Sequence, residues 1–506
     1  MALQEWMEDP KFFLLPSLLI LSLLFLFKLN KKKKIEKEEP PSLPPSPPKL
    51  PIIGNLHQLG TLPPRSLAAF SHKYGPLMLF HFGSVPTLVV SSPEMATEIT
   101  KTHDIVFANR STSPVTKKLV YGCTDISFSP YGEYWRQLRK LCVIELFSSK
   151  RVRSFKFVRE EEVAVLIEKI SVLSQGGVIP VNISDLLPIF SSNVICRVAA
   201  GTKYTNPKLS HIAREVEILL GAFSVREYFP LLGWIDTLTG LDKRVNKIFQ
   251  EMDSVFDAVI QDHLNSHKED GQENEKDVVD LLLEAQKDSS LGVSLTLDNI
   301  KAIIMDMFIA GTDTSAIIVE WAIVELVRNP SIMKKAQEEI RSVVGSKSKI
   351  EEDDIPQMDY LKCIIKEIMR LHPPVPLLLP RESSAGVHIK GYYIPPKTRV
   401  IINAWAIQMD PKVWDNPEEF IPERFINNPI DLQGQDFKFL PFGAGRRVCP
   451  GIWFGLASSE LVLANLLYWF DWECPGGEKD IDMTEVFGLV VHKKTPVHLL
   501  PKNHFS

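Results

Sequence analysis

One cysteine stands where a thiolate is favoured. Residues 440–451 read L-P-F-G-A-G-R-R-V-C-P-G, and an apolar helical run follows from Ile452 to Phe470. Cys449 therefore lies at the start of a helix, where unpaired N–H groups and a partial positive charge stabilise an ionised sulfur. Gly443, Gly445 and Gly451 let backbone approach something flat and bulky, and Arg446 and Arg447 supply charge for an anionic partner. The run G-A-G-R-R-V begins like a dinucleotide loop, but the third glycine is missing and no buried strand clearly precedes it. A second group of polar residues, Asp313, Thr314 and Ser315, interrupts the apolar stretch A-I-I-M-D-M-F-I-A-G-T-D-T-S-A-I-I-V at 302–319. By themselves they leave two readings open: hydroxyls bonded back to carbonyls one turn earlier in a core helix, or groups kept for chemistry.

These groups need long buried helices to hold them. Thr296 is a plausible cap and Pro330 a stop, which predicts a helix of about 50 Å running through the middle of the domain. Alternating stretches at 77–90 and 387–402 predict a small sheet. Helical periodicity dominates elsewhere, without an internal repeat, and the charged run at 268–276 reads as an exposed loop.

The composition excludes several classes. The chain has 506 residues, 45% hydrophobic and 24% charged, with 57 basic against 62 acidic residues and a net charge of −5. Such a balance fits neither a disordered chain, a coiled coil nor a basic nucleic-acid binder. Six cysteines, at 123, 142, 196, 363, 449 and 474, form no C-x-x-C pair. That spacing argues against a disulfide-stapled domain or a zinc finger.

The amino terminus reads as a membrane anchor. Sixteen uncharged residues lie between Lys11 and Lys28. As a helix they span about 24 Å, and the flanking lysines can snorkel to make up the roughly 30 Å of a bilayer core. The lysines after the run, from Lys28 to Lys37, place the following chain in the cytosol. The expected organisation is a lumenal terminus at 1–11, a transmembrane anchor at 12–28, a basic and proline-rich hinge at 29–51, and a cytosolic catalytic domain at 52–506. The sequons at Asn109 and Asn182 then never meet the lumen.

Five motifs stand in register. F-x-x-G-x-R-x-C-x-G is matched at Phe442, Gly445, Arg447, Cys449 and Gly451; A-G-T-D-T-S occupies 310–315; E-x-x-R is Glu367 and Arg370; P-E-R-F is 422–425; and W-x-x-x-R is Trp135 and Arg139. With these the chain resembles haem-thiolate monooxygenases of the cytochrome P450 superfamily, in the plant microsomal A-type branch. The resemblance implies a mainly α fold with small β-sheets behind an N-terminal single-pass anchor helix.

It also implies roles. Cys449 would be the proximal ligand to the iron of haem b, because a thiolate pushes electron density toward the iron and favours O–O cleavage. Phe442 would keep the sulfur dry, while Arg447, Arg139, Trp135 and, as a looser match, Arg381 would meet the propionates. Thr314 and Asp313 would be the oxygen-activating pair, with Ala310 leaving room for dioxygen. Glu367, Arg370 and Arg424 would form a buried structural network. Leu119, Phe223, Ile303, Met307, Val375, Leu378 and Phe487 would line an apolar substrate pocket. Electrons would come from NADPH through a flavoprotein reductase in the same endoplasmic reticulum membrane, with Arg136, Arg139, Lys140, Lys150, Arg151 and Arg153 as a basic docking face. The implied substrate is a hydrophobic plant specialised metabolite: a terpenoid, a phenylpropanoid or coumarin, or an alkaloid. Two other readings remain, a haem-thiolate dehydratase or isomerase that consumes no O2, and a tethered binding protein. Retention of Thr314 and Asp313 argues against the first, and the filling of every catalytic-motif position argues against the second. One departure is Met409, where related sequences often carry arginine; it bears on a local surface or interface contact.

Overall fold

The computed structural model describes residues 42–202, 208–265, 276–287, 294–347, 349–477 and 480–505. The expected anchor, the first part of the hinge and most of the charged run at 268–276 lie outside the described residues.

Six helices bear on the site: α1 (Glu133–Leu141), α2 (Ile183–Ala200), α3 (Lys208–Leu220), α4 (Leu297–Arg328), α5 (Asp359–Leu371) and α6 (Ile452–Trp469). The predicted cap of α4 is present. Asn299 donates its backbone N–H to the Thr296 hydroxyl at 3.2 Å, and Thr296 donates its own to the Asn299 side chain at 2.9 Å. This reciprocal pair satisfies two donors that the first turn leaves open. Pro330 starts the next helix directly after α4 ends.

α2, α4 and α6 are each apolar and long enough to cross a membrane, yet 67%, 78% and 72% of their most apolar windows are buried inside the protein. They are core helices, apolar on all sides because other elements cover them all round. α2 and α6 both pack on α4. Gly311 permits the first contact, since a Cβ there would lie 2.6 Å from Ile195 Cδ1.

The main sheet has five strands: β1 (Leu77–Phe82), β2 (Val85–Val90), β3 (Asn109–Arg110), β4 (Arg381–Glu382) and β5 (Arg399–Ile402). Their order is β1-β2-β5-β4-β3, with β2 and β5 parallel and the other pairs antiparallel. A hairpin of β6 (Glu485–Val486) and β7 (His492–Lys493) lies near the carboxyl end. The fold is thus mainly helical with small sheets, as expected.

The proline-rich segment contributes to this domain. Tyr393 donates to the Ser42 carbonyl at 2.7 Å, Leu79 to that of Pro45 at 2.9 Å, and Asn55 Nδ2 to that of Pro47 at 3.3 Å. Prolines lack an N–H but keep their carbonyl, so a segment rich in them docks by accepting bonds. Part of the expected hinge, at 42–51, is thus bonded to the domain that follows it.

Candidate active site

Cys449 sits in the turn that leads into α6, with Gly451 at the N-cap position. Its backbone N–H donates to the Phe442 carbonyl at 3.0 Å, which closes the loop on itself. Gly445 adopts φ +67°, and a Cβ there would lie 2.2 Å from the Thr100 carbonyl oxygen, so only glycine fits. Burial pushes the Cys449 thiol up, opposed by the Gly451 N–H and the Arg139 guanidinium, which both favour the thiolate. A cation bound at the sulfur would complete the deprotonation.

Around this loop lie four arginines. Arg447, two residues before the cysteine, donates to the carbonyls of Ala108 at 2.7 Å, Ile126 at 3.3 Å and Ser129 at 2.5 Å. Its guanidinium lies 4.1 Å from the centre of the Trp135 ring, while the indole N–H donates to Ile126 at 3.0 Å. Arg139 on α1 reaches the Val448 carbonyl at 2.6 Å, and Arg381 on β4 reaches that of Ala444 at 2.7 Å. Arg110 on β3 is the fourth, donating to Ser127 at 2.9 Å and Leu379 at 2.7 Å. The sequence reading did not assign Arg110 to this group; a lone arginine on a two-residue strand carries no local signature.

Burial and mutual repulsion disfavour these charges. Arg447 is pushed down to about 9 and Arg381 to about 10, and Arg110 is held well below the ordinary arginine range. The nearby acids are Asp104, which faces Arg381 at 3.5 Å, and Asp125. Burial and the adjacent Asp306 push Asp125 well above the ordinary carboxylate range, so it offers little compensating charge. A buried excess of cations beside a cysteine suits a haem, with a sulfur for the iron and guanidiniums for two carboxylates.

α4 presents one accessible stripe. Asp306, Ala310, Gly311 and Thr314 are its only residues from Ala302 to Val327 that are not buried, and their spacing places them on one helix face. The Asp306 charge on this stripe also disfavours the Cys449 thiolate. The Thr314 hydroxyl donates back to the Ala310 carbonyl. Asp306 also accepts from the backbone of Ile126 at 2.8 Å and Ser127 at 3.2 Å, tying the 110–127 loop to α4. Asp313 is buried, with its carboxylate close to Glu217 of α3 and His492 of β7. Asp125, Asp306, Glu217 and His492 are further residues that sequence reasoning missed. An acid in an apolar run, as at Asp306, was the one signal available.

Glu367 and Arg370 form the expected buried pair, two parallel bonds of 2.8 Å each, with Arg424 Nε joining Glu367 at 3.0 Å. Met409 belongs to this network and not to a surface contact: it is half-buried, and its sulfur lies 3.6 Å from Arg370 Nη1.

The pocket candidates spread over several environments. Leu119, Ile303 and Met307 are buried in the main core. Val375, Leu378 and Phe487 are half-buried, and Leu378 lies 3.7 Å from the Cβ position of Gly443 beside the cysteine loop. Phe223 is 54% exposed and stacks on Tyr228 at 5.0 Å. Of the basic face, Arg139 is turned inward to the cysteine loop. Arg136 and Arg153 are on the surface, paired with Glu133 and Asp353.

A sequence model of the cytochrome P450 family matches residues 44–500. Cytochrome P450 71A1 of Persea americana is 54% identical over 462 residues, 90% of this chain and 92% of that protein. The phenylacetaldehyde oxime monooxygenase CYP71AN24 of Prunus mume is 51% identical, covering 90% and 88%. Desmethylyatein synthase of Sinopodophyllum hexandrum is 48% identical, covering 90% and 93%. Among solved structures, a zebra fish cytochrome P450 with progesterone superposes with a TM-score of 0.74 at 27% identity, over 87% of this chain and 99% of the other. From its cysteine loop to its long central helix, this chain belongs to the cytochrome P450 family, in the plant A-type branch, and is an oxygen-incorporating oxidoreductase.

Proposed function

We propose that Cys449 holds a haem iron and that the enzyme oxidises a hydrophobic plant specialised metabolite with electrons from NADPH, passed on by a membrane-anchored flavoprotein reductase. The observation that carries this reading is the buried arginine excess around the cysteine loop. Arg110, Arg139, Arg381 and Arg447 would bind the two propionates, and Trp135 braces Arg447 from below. When bound, the haem supplies activation of dioxygen and insertion of one oxygen atom into the substrate. Phe442 shields the sulfur, Ala310 leaves space on the accessible stripe, and Thr314 holds a proton donor there. Asp313, one residue earlier, supplies protons to it. The cytosolic domain would be tethered to the endoplasmic reticulum membrane by residues 12–28, through the hinge.

The class of substrate rests on the apolar character of the residues assigned to the pocket, Leu119, Ile303, Met307, Val375, Leu378, Phe487 and Phe223. Three relatives are named for phenylacetaldehyde oxime, desmethylyatein and norfluorocurarine, which agrees with an organic substrate of that kind. Incubation of microsomes with reductase, candidate substrates and labelled O2, with and without NADPH, tests the reading. Label in the product supports it; turnover without NADPH overturns it in favour of a dehydratase or isomerase.

Two further outcomes are expected. Thr314→Ala retains the haem but releases most reducing equivalents as hydrogen peroxide, with coupled product falling by about a hundredfold, as for loss of a positioned proton donor. Unchanged product per NADPH would remove Thr314 from this role. Arg110→Met removes one of four crowded cations and one propionate partner, so haem is lost faster, by roughly tenfold, as followed by transfer to an apo-globin acceptor. An unaltered transfer rate would exclude Arg110 from haem binding.

A further inference from the structure

Glu217 on α3, Asp313 on α4 and His492 on β7 bring ligand atoms to within 4.8 Å of one another. Glu217 is 4% exposed and Asp313 6%, whereas 27% of the His492 side chain reaches solvent. Among the described residues Glu217 Oε2 has no hydrogen-bond partner outside this cluster, and His492 Nε2 lies 3.9 Å from it. The register is fixed nearby: a Cβ at Gly221, at the end of α3, would lie 2.6 Å from the Leu489 backbone nitrogen in the β6–β7 hairpin.

This arrangement is unusual for a structural acid. A buried carboxylate kept for stability is paired with a cation. Asp313 instead meets a second acid, and two carboxylates so close in a dry site cannot both be ionised. Burial and the Asp313 charge push Glu217 well above the ordinary carboxylate range. The other charged groups facing the cluster are Arg214 on α3 and Glu320 on α4; Lys493, next to His492 on the strand, points instead to Trp321 and the Asp482 carbonyl. Arg214 is exposed and favours the Glu217 carboxylate, while Glu320 is bonded to the Ser184 hydroxyl. Burial holds His492 below its ordinary range, so it is a neutral ring that takes up a proton only in passing.

We propose that Glu217 and Asp313 hold one proton between them and that His492 reloads this pair from solvent, making the three the supply side of the proton path that ends at Thr314. The inference rests on the monooxygenase reading. Asp313 takes this single proton from Glu217 and passes it toward the Thr314 stripe, which leaves the pair one proton short. The Glu217 carboxylate then regains a proton from solvent through His492 Nε2, and the cluster returns to its starting charge. Glu217 and His492 act through Asp313 and are positioning residues.

The test uses the full-length holoenzyme and the variants Glu217→Gln and His492→Gln. Infrared spectra in H2O and D2O are expected to contain a protonated-carboxyl stretch, shifted by deuterium, that Glu217→Gln abolishes. Both variants are expected to keep the ferrous carbonyl band and substrate-binding spectra. Their solvent isotope effect on product formation rises, and the hydrogen peroxide released per NADPH increases severalfold. His492 is partly exposed, so its variant tests the relay even where Glu217→Gln fails to fold. An unchanged carboxyl band in Glu217→Gln, or unchanged coupling and isotope effect in folded His492→Gln, overturns the proposal. So does a divalent cation that the wild type retains after dialysis and the variants lose. A wild-type enzyme without the ferrous carbonyl band would instead overturn the haem-thiolate reading, while the infrared measurement still judges the shared proton.

Discussion

Cys449→Ala is expected to abolish both the red-shifted absorption of the ferrous carbonyl form and all turnover, while the fold survives. The cysteine loop does not depend on its sulfur. It is closed by the backbone bond from Cys449 to Phe442 at 3.0 Å. It is fastened to neighbouring chain by Arg447, with three carbonyl acceptors, and by Arg446, whose backbone N–H donates to Asp104 at 3.1 Å. Alanine removes little volume at a half-buried site, so the cost in packing is small against the usual range for buried large-to-small changes. What disappears, on the proposed reading, is the anionic donor that would set the electronic character of the iron. Circular dichroism and carbonyl difference spectra, recorded together, check the outcome. A folded variant with an unchanged band would show that the iron is held elsewhere.

The long central helix was legible because its signals are local. Thr296, the apolar run and Pro330 mark its limits, and the structure places α4 at Leu297–Arg328. The cysteine loop was legible for the same reason: glycines, arginines and the sulfur lie within one short stretch. Arg110, Glu217 and His492 were not, because each acquires meaning only from residues hundreds of positions away or on a different element. Asp313 shows the boundary well. Its type and place beside Thr314 suggest proton chemistry, but no sequence pattern says that its carboxylate meets a second acid. Arg139 had two assignments, a propionate contact and a place on a basic surface face; its guanidinium points inward to Val448, away from such a face. Met409 followed the same course, from a supposed surface departure to a contact of the buried Arg370.

Arg370 supports the second large prediction: both Arg370→Ala and Arg370→Lys are expected to yield protein that cannot retain a folded haem domain. The residue is fully buried on α5, and every nitrogen of its fork is used. Nε and Nη2 each donate to Glu367 at 2.8 Å, Nη1 donates to the carbonyls of Gln408 at 2.9 Å and Pro417 at 2.7 Å, and Nη2 also reaches Glu419 at 3.2 Å. Gln408 carries the connection onward. Its amide nitrogen donates to the Met369 carbonyl at 2.9 Å, and its amide oxygen accepts from Leu440 N at 2.9 Å, at the base of the cysteine loop. The pair is therefore the joint between α5 and the chain that positions Cys449. Alanine leaves Glu367 buried with Arg424 and the Ile421 N–H as its remaining partners, a loss of about 3–5 kcal/mol. Whole domains are stable by only about 5–15 kcal/mol, so the loss is decisive. Lysine keeps the charge but has neither the planar fork nor the reach to serve four acceptor groups at once. Thermal unfolding and haem content of the purified variants measure the effect. If Arg370→Lys melted with the wild type and held a full complement of haem, charge alone would suffice at this joint, and its geometry would not be what positions the cysteine.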